Sequence, residues 1–356
     1  MFAITRLASG LVSGKFVERF GERLVLGFGL FMVAFFVFLT ALAQSYEQLL
    51  FLRAAGGLGS AMFSVSAGSL ILRVVSDDKR GRALSVYNGG FLVGSIAGPA
   101  FGGILIAISP RAPFFIYSVT LSIAGIIAFF FLHENRLGKT QHLLDAIPAT
   151  TIREALQIKA FRYILLMTFL LTWVLFGVRS SILPLYVIED LHGTTTLVGI
   201  GFTIAALAQG LILIRAGRYS DKAGRRPALI LGVSLISIGL LILIFSINTW
   251  MYLIAMLFLG LGGAFGGTGA ALVGDVIKGR SGRVVAIFQM AGDAGMMVGP
   301  ILLGFISDIA NYRIALVTTG AVFLIALFLV FDLPETRKID KDKENGSSPI
   351  ISEEPH

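Results

Sequence analysis

Cysteine is absent from the chain. Disulfides, thiolate metal sites and cysteine nucleophiles are therefore excluded. The four histidines are scattered and form no H-x-x-x-H pair, so nothing in their spacing suggests zinc. Charge is scarce, at 14% of residues against about 25% in an ordinary soluble domain. Too few charges remain to clothe a water-facing surface. No G-x-x-x-x-G-K-S/T phosphate loop and no nucleophile–base constellation occurs. ATP-driven chemistry and enzymatic catalysis lack support, and no cofactor is called for. The net charge of +8 raises the question of nucleic acid. A nucleic-acid reader needs its cations on one face of a soluble fold. Here they sit between apolar runs.

Apolar residues are plentiful, at 56% of 356. Eleven apolar segments have a length near that of a bilayer-spanning helix, roughly 17–25 residues. They run near 1–16, 24–43, 48–72, 83–107, 112–132, 162–188, 196–216, 227–247, 250–274, 284–306 and 312–332. The pattern predicts an all-α polytopic membrane protein of two pseudo-symmetric helical bundles, five helices plus six. Residues 1–132 form the N-terminal bundle and 162–334 the C-terminal six-helix bundle. Residues 133–161 read as a linker with a short surface helix, and 335–356 as a polar, disordered tail.

Lysine and arginine set the orientation. With alternating helices, one set of loops, together with the linker and tail, holds 24 of the 29 cations. The opposite loops hold Arg111 and Arg313, and Arg6, Arg53 and Arg179 fall inside helices. The cation-rich side, linker and tail are therefore expected to be cytoplasmic, in a multi-pass protein of the plasma membrane.

The chain also repeats itself. "GKFVERFGER" from Gly14 aligns with "GRYSDKAGRR" from Gly217 at an offset of 203, as does Gly57-Leu58-Gly59 with Gly260-Leu261-Gly262. At an offset of 201, Gly81-Arg82 meets Gly282-Arg283, Gly94 meets Gly295, and Gly98-Pro99 meets Gly299-Pro300. Parallel repeats about an axis along the membrane normal are a transporter architecture. Symmetry with the six-helix half leads us to expect one more helix ahead of the first.

Three motifs carry a family resemblance. The loop signature G-x-x-x-D-R/K-x-G-R-R/K is met by Gly217, Asp221, Lys222, Gly224, Arg225 and Arg226. The first-half copy keeps Gly14, Arg19, Gly21 and Arg23, with Glu18 in place of the Asp and Glu22 in place of the first Arg of the pair. A fourth-helix signature R-x-x-x-G-x-G is met by Arg53, Gly57 and Gly59. A fifth-helix signature G-x-x-x-G-P-x-x-G-G is met by Gly94, Gly98, Pro99, Gly102 and Gly103, and echoed by Gly295, Gly299 and Pro300. On these residues the chain resembles the major facilitator superfamily over about residues 1–335, most closely its drug:proton antiporter branch. The resemblance implies proton-coupled efflux of a small, drug-like compound by alternating access. It also implies that Asp221 meets the helix start near Arg82 and Glu18 the one near Arg283, as a latch between the bundles. The alternative role for the loops is to anchor topology. Gly-Pro in mid-helix implies a kink that packs helices or limits leak.

Intramembrane charge is the sharper clue, because each costs about 2.5–3.5 kcal/mol at a helix centre on the mildest scale. Asp293 and Arg6 lie deep, and Arg53 and Arg179 nearer the outer side. Asp293 is a candidate proton carrier or partner of a cationic substrate. The competing reading is a structural ion pair with a nearby arginine. Tyr87, Asn88, Trp173, Tyr186, Gln209 and Gln289 are candidate pathway residues. Tyr46, Trp250 and Tyr312 read as an interfacial belt. The expected partners are a small-molecule substrate, protons and the lipid bilayer, with no nucleic acid, in a monomer. Proton-coupled uptake remains an alternative function, and a non-transporting membrane protein is an alternative of another class.

Overall fold

The computed structural model describes residues 1–75, 79–131, 149–277, 281–333 and 335. The first bundle comprises α1 (Phe2–Phe20), α2 (Glu22–Ala41), α3 (Tyr46–Val74), α4 (Arg80–Ile108) and α5 (Ala112–Phe131). A one-and-a-half-turn helix α6 (Ile152–Gln157) follows, closed at its start by a capping box between Thr151 and Glu154. Ala155 is buried, so α6 packs against the second bundle and is not a free surface helix. Most of the expected linker, residues 132–148, lies outside the described residues.

The second bundle comprises α7 (Lys159–Glu189), α8 (Thr195–Ala223), α9 (Arg225–Ile244), α10 (Thr249–Val276), α11 (Gly282–Ile309) and α12 (Tyr312–Phe331). It begins at Lys159, three residues ahead of the expected boundary at 162. The tail boundary also moves, because Glu335 is ordered against α9. Among the described residues, nine helices are long and apolar enough to cross a membrane. This is a multi-pass membrane protein.

Four helices that enter from the cation-poor side, α3, α8, α10 and α12, cap themselves. Ser45, Thr194, Asn248 and Asn311 each accept from a backbone N–H in the first turn, at 3.2, 3.2, 3.0 and 2.8 Å. Tyr46 and Trp250 stand exposed at the same level, as a belt requires. Phe51, Phe130, Phe305 and Phe328 are exposed on the outer faces, a surface fit for lipid.

The repeated glycines are crossing points. A Cβ on Gly57 would lie 2.7 Å from the Phe2 carbonyl, and one on Gly260 would lie 2.2 Å from that of Ala205. Gly59 meets the Gly29 carbonyl and Gly262 the Gly232 carbonyl, each at 2.8 Å. All four pairs obey the 203-residue offset. The same two backbone contacts thus build both bundles, α1 and α2 on α3, and α8 and α9 on α10. Where lipid removes any hydrophobic drive between helices, such close approach is the main source of packing.

Two seams join the bundles. In one, Gly10 and Gly14 of α1 lie against Met290 and Arg283 of α11. In the other, Gly217 of α8 meets Gly81 of α4, and Gly210 meets Leu92.

A Gly260→Val substitution has no room and is expected to lower stability by about 1–3 kcal/mol. Gly304→Ala, which meets nothing within 4 Å, should be neutral or better. Thermal unfolding of the two purified variants in detergent checks this.

Candidate functional site

The loop motifs place carboxylates where helices begin. Helices α4, α9 and α11 have no side-chain cap of their own. Asp221, at the end of α8, accepts the N–H groups of Gly81 and Arg82 at the start of α4, both at 2.8 Å. Glu18, at the end of α1, accepts the Arg283 N–H at 3.0 Å and its Nε at 2.7 Å, at the start of α11. Each is a negative group on a positive helix end, reached across the bundle boundary. Gly21 and Gly224 make the turns with φ of +84° and +111°, where a side chain would be strained.

Glu335 completes the set. Its carboxylate accepts the N–H groups of Arg225 and Arg226, at 2.9 and 3.0 Å, and so caps α9. The position follows α12 directly, and only tertiary structure brings it to α9.

Behind Asp221 lies a buried network. Arg225, 1% exposed, donates to Asp221 at 2.7 Å and to Asp275 of α10 at 2.9 Å. Arg80 of α4 pairs with Asp275 at 3.5 Å and donates to the carbonyls of Gly274 and Leu72, at 2.8 and 3.0 Å. Four charged groups therefore tie α8, α9 and α10 to α4. Lys222 lies exposed outside it, and so does Arg19 of the first-half copy.

The first-half copy repeats the geometry with the charges exchanged. Glu22 occupies the place of Arg225, and its partner is Arg73 at 2.6 Å, on the end of α3. Arg73 corresponds to Asp275 at an offset of 202. The apparent loss of the motif at Glu22 is thus matched by an inverted partner. This pair stays inside its own bundle. Arg23 and Arg226 again behave alike, donating to the backbone carbonyls of Phe129 and Phe331.

Deeper in the first seam, Arg6 Nε bonds Asp293 Oδ1 at 2.9 Å, and Arg6 Nη1 reaches Ser60 Oγ. Asp293 lies eleven residues into α11, about 16 Å along its axis. The Phe2 ring sits under two guanidinium groups, with Arg53 at 5.4 Å and Arg6 at 6.0 Å from its centroid. Arg53 therefore joins the Arg6 cluster. Arg179 does not, since it stacks at 5.3 Å on Phe202 of α8.

The kink residues divide. Pro300 is inside α11, and its neighbours Gly295 and Gly299 press on Phe169 and Trp173 of α7. Opposite them α7 widens into a π-helical stretch, Trp173–Ile182, in which Gly177 meets Gly299. In α4, Gly94 faces open space. The side chains of Gly98, Pro99, Gly102 and Gly103 lie outside the described residues.

Two expected pathway residues are corrected. Tyr186 is fully buried with its hydroxyl 2.7 Å from Ser246 Oγ, and buried Trp173 donates to Thr319 at 3.2 Å. Both are core residues of the second bundle. Gln289 instead crosses the seam to the Ser64 carbonyl at 3.4 Å, and Gln209 reaches that of Gly263 at 3.5 Å. Tyr87 and Asn88 are half-buried on α4.

Comparison with known proteins agrees with the repeat. The family model described as Major Facilitator Superfamily matches residues 1–188 and again 164–353. Multidrug resistance protein MdtG of Salmonella dublin is 30% identical over 92% of this chain and 83% of its own. MdtG of Dickeya zeae (strain Ech586) is 31% identical over 92% and 82%. Among solved structures, the human organic anion transporter MFSD10 (TETRAN) shares the fold with a TM-score of 0.76. It is 16% identical, covering 92% of this chain and 82% of that one.

The inverted pair gives a direct test. Glu22→Arg or Arg73→Asp alone leaves a buried charge unpaired, at a cost of about 3–5 kcal/mol. The double variant, which copies the polarity of Arg225 and Asp275, should recover most of that loss in thermal unfolding of the purified protein.

Proposed function

The chain belongs to the major facilitator superfamily, and we propose that it exports a small, drug-like molecule in exchange for protons. As a member it is a membrane transporter of small molecules, and not an enzyme. Export is supported by the fifth-helix motif at Gly94 and by relatives named for multidrug resistance. The positive-inside rule supports a cytoplasmic cation-rich side and a plasma-membrane location.

The observation that carries the proposal is the Arg6–Asp293 pair. It joins the two bundles within the membrane, with 15% and 9% of the side chains exposed. The hydrogen bonds and ion pairs found between bundles lie at its level or on the cation-rich side of it. On this reading the conformer is shut toward the cytoplasm. A proton arriving from outside neutralises Asp293 and removes its attraction for Arg6. Arg6 keeps Ser60 and the Phe2 ring, so its charge is not stranded. The α1–α11 seam is then held by Glu18–Arg283 and packing alone. Release of the caps at Asp221 and Glu18 turns the site inward, where the proton leaves and substrate binds. The Gly-Pro bends keep the helices close while this happens and limit leak.

Proteoliposomes with an imposed pH gradient test this. Wild type should drive substrate against the direction of proton flow, whereas Asp293→Asn, folded by thermal profile, should lose the response to the gradient. Substrate movement with the protons would overturn export and assign uptake. Asp221→Asn removes charge from a helix-end contact worth up to about 2 kcal/mol. It should shift the conformers toward cytoplasmic opening by about tenfold for each 1.4 kcal/mol lost. Cysteine accessibility on an otherwise cysteine-free chain reads that shift.

A further inference from the structure

On the flank of the second bundle, α8 and α9 leave an open groove of about 470 Å³ near the cation-rich end. It is lined by Tyr219, Arg226, Pro227, Ile230, Leu231 and Ser234. Tyr219 and Leu231 are 42% and 41% exposed, so the groove opens outward, to where lipid lies. Its chemistry is graded. At the polar end stands Arg226, whose Nε is buried without a hydrogen-bond partner. Beside it is the Tyr219 ring and hydroxyl. Below them run a proline, two aliphatic side chains and one serine hydroxyl.

Further cations stand nearby. Arg215 and Lys222, both exposed, lie one turn on either side of Tyr219. The nearby acids are engaged elsewhere. Asp332 is held by Lys159, and the two cations Lys159 and Arg226 keep its carboxyl below the usual range. Glu335 caps the backbone of α9, and Asp221 faces inward to Arg225.

The repeat supplies an internal comparison. At an offset of 203 the same positions hold Phe16, Arg23, Leu24, Gly27, Phe28 and Phe31. There the Phe129 ring packs over Gly27, 2.5 Å from where a Cβ would be, and stacks on Phe31 at 5.8 Å. The first half thus keeps the arginine, fills the space with rings and has no hydroxyl. Only the second half keeps an open groove with hydroxyls beside its arginine.

We propose that this groove binds one anionic phospholipid of the adjacent leaflet. Its phosphate meets the exposed part of the Arg226 guanidinium in a charge-assisted contact. The Tyr219 hydroxyl donates to the phosphate or a glycerol ester, and one acyl chain lies along Pro227, Ile230 and Leu231. Arg215 and Lys222 favour a net negative headgroup over a zwitterionic one, since each cation near the surface contributes about 1 kcal/mol. The site stands apart from the substrate pathway and does not depend on the direction of transport.

Native mass spectrometry of the purified full chain tests it, with equal phosphatidylglycerol and phosphatidylcholine in the detergent. Wild type should retain one phosphatidylglycerol in preference to phosphatidylcholine. The Tyr219→Phe/Ser234→Phe variant writes in the first half's residues and should lose that molecule. Arg226→Gln should cut the preference by about fivefold, the equivalent of 1 kcal/mol. Equal retention by wild type and the filled variant, or no preference between the lipids, overturns the proposal. A photoactivatable phosphatidylglycerol on wild type gives a second reading that needs no variant. Labelling should fall on residues 219–234, and labelling confined to other segments also overturns it.

Discussion

A helix begins with four backbone N–H groups that have no partner within it, and the molecule is organised by how those groups are satisfied. On the cation-poor side each helix start with a cap uses its own Ser, Thr or Asn. On the other side α4, α9 and α11 make no such cap of their own and take carboxylates from distant segments. Two of the three, Asp221 and Glu18, come from the opposite bundle. The bundles therefore cannot part at that side without leaving buried donors exposed. Whatever parts them must offset that cost, through water, substrate or a changed charge. Caps within one bundle carry no such penalty.

The two seams differ in what holds them. The α4–α8 seam rests on a buried network of Asp221, Arg225, Asp275 and Arg80. The α1–α11 seam has a half-exposed Glu18–Arg283 contact at its end and a buried Arg6–Asp293 pair further in. Exposed pairs contribute little, about 0–1 kcal/mol. The weight of the second seam thus falls on one buried ion pair, whereas each charged group of the first has two or more partners. The duplicated fold thus joins its two bundles by two differently built seams.

Much of this was legible in the sequence. Apolar runs located the helices to within a few residues, because span length is set by the bilayer. The family resemblance, carried by the loop motifs, pointed Asp221 toward Arg82 and Glu18 toward Arg283. Other features were not legible, for physical reasons. Glu335 sits at the edge of a polar tail, and its role depends on where α12 ends in space. The pair Glu22–Arg73 is hidden twice, by exchanged charges and by a one-residue drift in the offset between Arg73 and Asp275. A comparison that tracked charge products, and not residue identity, would have found it. Trp173 and Tyr186 read as pathway residues because composition does not reveal helix rotation. Their polar atoms are satisfied inside the second bundle.

The π-helical stretch of α7 acts as a change of phase along the helix. Ten residues are wound there more loosely than in the flanking turns, Lys159–Thr172 and Leu183–Glu189. The outer segment is therefore rotated relative to the face that an uninterrupted α-helix would present. Rewinding the same ten residues as regular α-helix would turn Leu183–Glu189 onto another face. Tyr186 would then swing away from Ser246, and Pro184 would face new neighbours. The direction of the outer side chains of α7 thus hangs on a local excess of backbone, placed where Gly177 meets Gly299 of α11.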